Sequence, residues 1–220
     1  MIRAILFDLG RVLLDFDHHR ACQALAAVAR RPGVTAEQVR EFIFGTDLEP
    51  CYDRGQLTDE EFRARICQAF DIAVPAADFA RRWADIFWER EGVLPYLAEL
   101  KARGYWLALC SNTNSLHFEH LEREFAPYLQ PLDHLFLSFR MGVRKPEAGY
   151  FEQVREHLRG LGIGPPEALF IDDLAANVEA AREHGFPAIQ CRSFPQMREE
   201  IEATLYQIAG RNGTLSRSEV

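Results

Sequence analysis

Short apolar runs that stop at polar residues recur along this chain, and they constrain its fold more than any other feature. The clearest runs cover residues 2–7, 105–110, 168–171 and 187–191, with a weaker one at 134–138. Runs of this length are typical of strands that are buried on both faces of a parallel sheet. Helical patterns separate them, and Gly104 and Gly185 are stop signals for two of those helices. The alternation predicts an α/β fold with a doubly wound parallel sheet.

The stretch from residue 18 to residue 91 breaks this alternation. It has no convincing strand, its apolar residues recur at helical spacing, and Thr58 with Glu61 predicts a helix capping box. Four aromatic residues at helical spacing are predicted to form the core of this stretch: Phe79, Trp83, Phe87 and Trp88. The predicted division is an α/β core of residues 1–17 and 92–210, a helical cap of residues 18–91 and a flexible tail of residues 211–220.

Composition and charge narrow the classes of partner. The net charge is −8 and no run of lysine and arginine forms a basic stripe, so we expect no nucleic-acid partner. No apolar stretch is long enough to span a bilayer, and we expect no membrane partner. The five cysteines are scattered without a CxxC pair, which indicates reduced thiols and a cytoplasmic protein. The sequence leaves the oligomeric state open.

Polar side chains stand where the predicted strands end. They are Asp8, Ser111 with Asn112, Asp172 with Asp173, and Lys145 ahead of the last of these strands. If the strands are parallel neighbours, these groups meet in one crevice at the carboxyl edge of the sheet. Carboxylates crowded in this way need a cation, and hard oxygen ligands favour Mg²⁺. The pattern predicts a site for Mg²⁺ and a phosphoryl group, which Lys145 and Ser111 would also hold.

Four motifs in this order resemble those of the haloacid dehalogenase (HAD) superfamily of hydrolases, over nearly the whole chain. They are Ile5-Leu6-Phe7-Asp8-Leu9-Gly10, Leu109-Cys110-Ser111-Asn112, Arg144-Lys145-Pro146-Glu147 and Phe170-Ile171-Asp172-Asp173. The resemblance implies a HAD-type, Rossmann-like core with a cap that closes over the site. It implies that Asp8 attacks phosphorus and becomes an aspartyl phosphate. It also implies that the Ser111 hydroxyl and the Asn112 amide hold the phosphoryl oxygens, while Lys145 neutralises charge.

The same resemblance implies a set of Mg²⁺ ligands. Asp8, the Gly10 carbonyl and Asp173 would bind the ion directly. Asp172 would either bind it or order its waters, and Asn177 would support this shell. The substrate implied by these roles is a small-molecule phosphate ester.

Some segments resemble one subgroup more closely, that of the bacterial α-D-glucose-1-phosphate phosphatases and the phosphatase domain of soluble epoxide hydrolases. These segments are Asp8-Leu9-Gly10, Ser111-Asn112-Thr113-Asn114 and Tyr52-Asp53-Arg54-Gly55-Gln56-Leu57-Thr58. The resemblance implies a small sugar phosphate as substrate. The substrate-binding candidates are Asp53, Arg54, Thr113 and Asn114.

Gly10 departs from the pattern of most phosphatases in this superfamily, in which a second aspartate at this position exchanges a proton with the leaving group. One explanation is a good leaving group, such as that of a sugar 1-phosphate or an acyl phosphate. Another is that a different acid acts instead, with Asp15, Asp17, His18 and Asp53 as candidates. We expect His18 and its neighbour His19 at surface or linker positions.

The third explanation is that the chain is a 2-haloacid dehalogenase, which also lacks this aspartate because halide leaves without a proton. The doubled acid Asp172-Asp173 favours the phosphatase, since without a cation it would repel a carboxylate substrate. A non-catalytic binding or regulatory protein on the same fold is a further alternative. The presence of Asp8, Ser111 and Lys145 argues against it.

Overall fold

The computed structural model describes the backbone of residues 1–213 and the side chains of residues 1–206. The strands of this part of the chain are β1 (Ala4–Phe7), β2 (Leu14–Phe16), β3 (Phe87–Glu89), β4 (Trp106–Ser111), β5 (His134–Leu137), β6 (Ala168–Asp172) and β7 (Ala188–Gln190). Its helices are α1 (His18–Ala26), α2 (Ala36–Phe44), α3 (Leu48–Asp53), α4 (Asp59–Phe70), α5 (Ala76–Ala84), α6 (Val93–Ala102), α7 (Ser115–Glu124), α8 (Ala126–Leu129), α9 (Ser138–Met141), α10 (Ala148–Gly160), α11 (Ala175–Glu183) and α12 (Phe194–Gly213).

Five parallel strands form the main sheet in the order β5-β4-β1-β6-β7. The first strand of the chain is therefore central, with β4 on one side and β6 on the other. All four of its residues are buried: Ile5 and Phe7 belong to one apolar cluster, while Ala4 and Leu6 belong to the other. Because successive strand residues face opposite sides, both faces of the sheet are covered. The predicted doubly wound α/β fold is confirmed.

Local helix signals behave as their chemistry predicts. Thr58 and Glu61 form the predicted capping box, with each side chain bonded to the backbone of the other. Gly104 and Gly185 follow α6 and α11, and both have a φ of +86°, where a residue with a side chain would be strained. These signals agree with the start of α4 at Asp59 and with the ends of α6 at Ala102 and α11 at Glu183.

The cap segment, residues 18–91, contains the five helices α1 to α5 but also one strand. The prediction that it has no strand is wrong at β3, which pairs antiparallel with β2. Phe87 and Trp88 consequently lie in a strand rather than on a helix, since α5 ends at Ala84. Strand alternation buries Phe87 and leaves Trp88 41% exposed. The partner of β3 is distant in sequence, so the local pattern did not indicate it.

The division into a core and an inserted cap stays a prediction. The predicted boundary between the core and the tail, at residue 210, does not coincide with the end of a helix. Helix α12 continues to Gly213, so the first residues of the predicted tail 211–220 are helical. Residues 214–220 lie outside the described residues. Within the part that is described, none of the helices combines the length and the apolar character needed to cross a membrane.

Trp83 is the largest fully buried side chain of the cap segment, and it lies 4.9 Å from the ring of Phe62, centroid to centroid. We predict that Trp83→Ala lowers the free energy of unfolding by about 3–5 kcal/mol, because it leaves a large cavity. Trp88→Ala is the matched control and should cost less than about 1 kcal/mol, since Trp88 is 41% exposed and leaves no enclosed cavity when it is shortened. Denaturant unfolding measures both values, and equal losses would contradict this account of the cap.

Candidate active site

A cavity of about 320 Å³ lies at the carboxyl edge of the main sheet, where the cap segment faces it. The core contributes Asp8, Ser111 and Lys145 to its wall, and the cap segment contributes His18 and Asp53. This is the edge at which open α/β sheets bind ligands. The volume is that of a small-molecule site.

The ammonium of Lys145 is the centre of the core side of this cavity. Lys145 is buried, and its Nζ donates to Asp8 Oδ1 at 2.7 Å and to Asp172 Oδ2 at 2.6 Å. Asn112 fixes the lysine backbone through two reciprocal bonds, each 2.8 Å long, one to the Lys145 carbonyl and one from its N–H. The side chain of Asn112 therefore positions Lys145, a role that the motif alone did not indicate.

The two acids after β6 have different surroundings. Asp172 is fully buried, and its Oδ1 accepts from the Leu174 N–H and from Asn177 Nδ2, both at 2.9 Å. With Lys145 on its other oxygen, Asp172 is held in place by donors of the protein. Asp173 is less buried, lines the cavity and has Arg11 Nη1 3.9 Å from its Oδ2. Asp173 is therefore the acid of this pair with more freedom to bind a ligand.

Negative charge exceeds positive charge at this end of the cavity. Asp8, Asp172 and Asp173 each offer an oxygen, and these atoms lie within 4.8 Å of one another. Burial, together with Asp172 and Asp173, raises the pKa of Asp8 to about 7 against the opposing effect of Lys145. Burial lowers the pKa of Lys145, but Asp172 and Asp8 outweigh it and raise that pKa overall. Three carboxylates against one ammonium form a donor set that fits a divalent cation with hard oxygen ligands.

Gly10, three residues after the end of β1, could not carry a side chain unless its neighbours moved. A Cβ atom on Gly10 would lie 2.4 Å from Cε1 of Phe16. Phe16 lies in β2, opposite Phe87 of β3, and both rings line the cavity. The aromatic ring thus occupies the space that an acid at position 10 would need.

Most of the predicted site residues come together here. Those that line the cavity are Asp8, Gly10, Asp53, Ser111, Asn112, Thr113, Lys145, Asp173 and Asn177. Asp172 lies beneath it, and the side chain of Asn114 bonds to Asp53. Ser111 is buried, and its hydroxyl makes only a long contact of 3.4 Å with the Asn112 carbonyl. That hydroxyl is therefore available to a ligand.

Besides Asp172 and Asn114, three more predicted residues do not line the cavity. Asp15 pairs with Trp88 in the β2–β3 ribbon, on the face opposite to Phe16, and its nearest cation is Arg90 at 4.0 Å. Asp17 is exposed and caps α1 by accepting from the His19 N–H. Arg54 forms an ion pair with Glu147 at the junction of cap and core. As acid or substrate-binding candidates, Asp15, Asp17 and Arg54 are not supported.

The cavity wall also includes residues that were not predicted to line it. His18 lines it, so the surface position expected for this residue is wrong, whereas His19 is exposed as expected. The ring of His18 packs between Phe16 and Phe44, with centroids 4.9 and 4.7 Å away. Glu49 and Arg144 also line the cavity. Glu49 and Asp53 are four residues apart, and this spacing places both on one face of a helix. It is the sequence signal from which their joint position in the wall could have been predicted.

An aspartate after the central strand, a lysine bound to it and an acid pair after the neighbouring strand define a hydrolase site at the edge of a parallel α/β sheet. The chain belongs to the haloacid dehalogenase-like hydrolase family, whose model matches residues 2–185. The predicted superfamily is confirmed, and the chain is an enzyme of this family. The closer likeness to α-D-glucose-1-phosphate phosphatases stays a prediction.

Individual relatives agree with this assignment. D-ribitol-5-phosphate phosphatase of Bacteroides thetaiotaomicron is 27% identical over 93% of this chain and 99% of its own length. The HAD family enzyme bt-2542 of the same organism, solved in complex with magnesium and inorganic phosphate, has a TM-score of 0.75 at 25% identity, covering 88% of this chain and 96% of its own. L-2-haloacid dehalogenase of Xanthobacter autotrophicus shares the fold, with a TM-score of 0.60 at 21% identity over 86% of this chain and 77% of its own.

The close approach of Phe16 to Gly10 is testable. We predict that Gly10→Ala lowers the free energy of unfolding by about 1–3 kcal/mol, because the added methyl group overpacks against the ring. In a Phe16→Ala background the same change should cost less than about 0.5 kcal/mol. Denaturant unfolding of the four proteins in this cycle measures the coupling.

Gly149→Ala is the matched control for this cycle. Gly149 lies in α10, and a Cβ there would meet Val143 Cγ1 at 3.5 Å, an ordinary contact. This substitution should raise the free energy of unfolding by up to about 1 kcal/mol, through helix propensity. If Gly10→Ala leaves the free energy of unfolding unchanged when Phe16 is present, the Phe16 ring does not fill the space beside position 10.

Proposed function

We propose that this chain is a magnesium-dependent phosphatase that hydrolyses a small phosphomonoester, of the sugar or polyol class, through an aspartyl phosphate on Asp8. The observation that carries this proposal is the buried Lys145 ammonium bonded to both Asp8 and Asp172. A carboxylate held under an ammonium, next to further acids that fit a cation, is matched to a substrate with several negative oxygens.

Specific residues would hold the cation. Asp8, the Gly10 carbonyl and Asp173 are the proposed ligands, while Asp172 orders the neighbouring groups through Lys145 and Asn177. Mg²⁺, when bound, supplies positive charge next to the phosphoryl oxygens. The structure of the bt-2542 enzyme with magnesium and inorganic phosphate supports this part of the proposal.

The remaining chemistry belongs to side chains of the chain itself. Asp8 attacks phosphorus in line and forms a P–O bond as the bond to the leaving group breaks. Lys145 keeps Asp8 oriented and offsets charge on the phosphoryl group. The hydroxyl of Ser111 and the N–H of Asn112 donate to phosphoryl oxygens, and the cap excludes bulk water. Water then attacks phosphorus, which releases phosphate and regenerates Asp8.

The substrate class rests on the cavity and on one relative. A cavity of about 320 Å³ has room for a small phosphate ester rather than for a polymer. The relative that acts on D-ribitol 5-phosphate covers nearly the whole of this chain. A phosphorylated sugar or polyol is accordingly the class that we propose.

The dehalogenase alternative shares the missing side chain at Gly10 but fits the charges less well. A 2-haloacid substrate brings a carboxylate toward Asp8, Asp172 and Asp173, which outnumber the nearby cations Lys145 and, at a longer distance, Arg11. Like charges at this range repel each other strongly when they are desolvated. The phosphatase is therefore preferred, and the assay below includes a haloacid.

We predict that the wild type, with Mg²⁺, hydrolyses 4-nitrophenyl phosphate and members of a panel of sugar and polyol phosphates. Removing Mg²⁺ with a chelator should abolish turnover, because the carboxylates then repel the phosphoryl group. Asp8→Asn should lower kcat/KM by at least about 10³-fold, since it removes the nucleophile. Steady-state release of inorganic phosphate measures each value.

Asp71→Asn is the matched control for Asp8→Asn. Asp71 is an exposed residue with a φ of +52° at the end of α4, a conformation that asparagine also adopts readily. It should retain wild-type turnover. Release of halide from 2-chloropropionate without phosphate release from any ester would contradict the proposal and favour the dehalogenase. Silence on every substrate would favour a binding role.

A further inference from the structure

The leaving group of a phosphate ester needs a proton, and position 10 does not provide one. Gly10 has no side chain, and the ring of Phe16 fills the space beside it. An alkoxide leaves from phosphorus much more slowly than an alcohol, and a positioned acid is typically worth ~10²–10⁴ in rate. The acid must therefore come from another part of the cavity wall.

The cap side of the cavity carries a pair of acids, Glu49 and Asp53, four residues apart around the end of helix α3. Asp53 is buried, and its Oδ1 accepts from Asn114 Nδ2 at 3.1 Å. Arg144 contacts both acids, with Nη1 3.1 Å from Glu49 Oε2 and Nη2 4.0 Å from Asp53 Oδ2. The two carboxyl groups and the guanidinium thus form one cluster in the cavity wall.

Charge balance fixes the protonation of this cluster. Two carboxylates against Arg144 would leave one buried negative charge uncompensated, whereas one proton makes the cluster neutral. Burial, and then Glu49, raise the pKa of Asp53 well above its usual value, and Arg144 and Asn114 oppose the shift. The proton therefore resides on Asp53, the more buried of the two.

A second observation points to a ligand on the same wall. Among the side chains that the structure describes, two buried polar atoms have no hydrogen-bond partner, Thr113 Oγ1 and His18 Nδ1. Both residues line this cavity, and Thr113 precedes the Asn114 that bonds to Asp53. Unpaired buried polar atoms are rare in folded proteins. Their clustering indicates that a ligand bearing hydroxyl groups completes this wall.

The other titratable groups of the region do not meet the requirement. His117 already uses both ring nitrogens: Nε2 donates to the Trp83 carbonyl at 3.2 Å, and Nδ1 accepts from Asn114 Nδ2 at 3.2 Å. His18 packs against the rings of Phe16 and Phe44, and burial lowers its pKa, which favours the neutral imidazole over the imidazolium that a general acid requires. Asp15 and Asp17 lie outside the cavity, as described above.

We propose that Asp53, in its protonated form, is the general acid of the reaction and replaces the side chain that is missing at position 10. The inference rests on the proposed phosphatase function. As the bond between phosphorus and the leaving oxygen breaks and the Asp8–phosphorus bond forms, the proton passes from Asp53 to that oxygen. Arg144 and Asn114 then hold the Asp53 carboxylate. When water attacks the aspartyl phosphate, its proton returns to Asp53.

Leaving groups of different basicity test this role. The two substrates are 4-nitrophenyl phosphate, whose phenolate leaves without a proton, and the sugar or polyol phosphate that the wild type hydrolyses fastest. Asp53→Asn keeps the shape of the side chain and can still accept from Asn114. It should lower kcat/KM for the alkyl ester by ~10²–10⁴-fold and for 4-nitrophenyl phosphate by less than about tenfold. The ratio kcat/KM reports the first irreversible step, so the later return of the proton does not affect it.

The pH profile provides a readout that a structural role would not move. Asp53 faces Glu49 on its own helix and Arg144 and Asn114 on the core, and Glu49 is the neighbour whose charge raises the pKa of Asp53. Glu49→Gln removes that charge and leaves Arg144, so the pKa of Asp53 falls. The acid is then lost at lower pH, and kcat/KM for the alkyl ester should begin to fall at a lower pH than in the wild type.

Asp47→Asn is the matched control. Asp47 is exposed and immediately precedes α3, and its side chain makes no capping hydrogen bond to that helix. It should match the wild type on both substrates and at every pH. Equal losses on the two esters in Asp53→Asn, or an unshifted profile in Glu49→Gln, would overturn the role of Asp53 while leaving the phosphatase intact. A wild type that hydrolyses neither ester would overturn the proposed function and this inference together.

Discussion

The buried ammonium of Lys145 is the interaction on which the rest of this site depends. It contacts Asp8, which follows β1, and Asp172, which is the last residue of the adjacent strand β6. Lys145 itself lies in the loop before α10. Burying an ammonium is costly unless its charge is matched, and removing one partner of such a pair typically costs ~3–5 kcal/mol. The two reciprocal bonds from Asn112 add a third strand end to the same point. Three separate segments of sequence are thereby fixed around one charge.

The β2–β3 ribbon forms another part of the cavity wall, through Phe16 and Phe87. Its register pairs Phe16 with Phe87 and Asp15 with Trp88, so the aromatic pair faces the cavity while the acid turns away. Phe16 then closes the space beside Gly10. Position 10 therefore lacks an acid because the Phe16 ring fills the space that its side chain would need. In the proposed reaction, the proton for the leaving group comes instead from Asp53 in the cap segment. This links the ribbon, the cap helix α3 and the chemistry at Asp8.

The fold and the core half of the site were predictable because they depend on local patterns. A buried parallel strand is an apolar run, its end is a polar residue, and parallel strand ends share one edge, so Asp8, Ser111 and Asp172 followed from the sequence. The rest of the site was not predictable, because the orientations of Asp15 and Arg54 depend on partners distant in sequence, Trp88 and Glu147. Strand β3 was missed for the same reason, since its partner β2 lies more than seventy residues earlier. The role of Asn112 toward Lys145 is likewise a tertiary contact.

The most direct test of the account is to trap the covalent intermediate. The enzyme is mixed with Mg²⁺ and a substrate that it turns over, quenched in acid during turnover and reduced with borohydride, which converts an aspartyl phosphate into homoserine. Peptide mass spectrometry then locates the modified residue. The account predicts homoserine at position 8 and at no other aspartate of the chain. Turnover with Asp8 unmodified, or modification at a different residue, would contradict it.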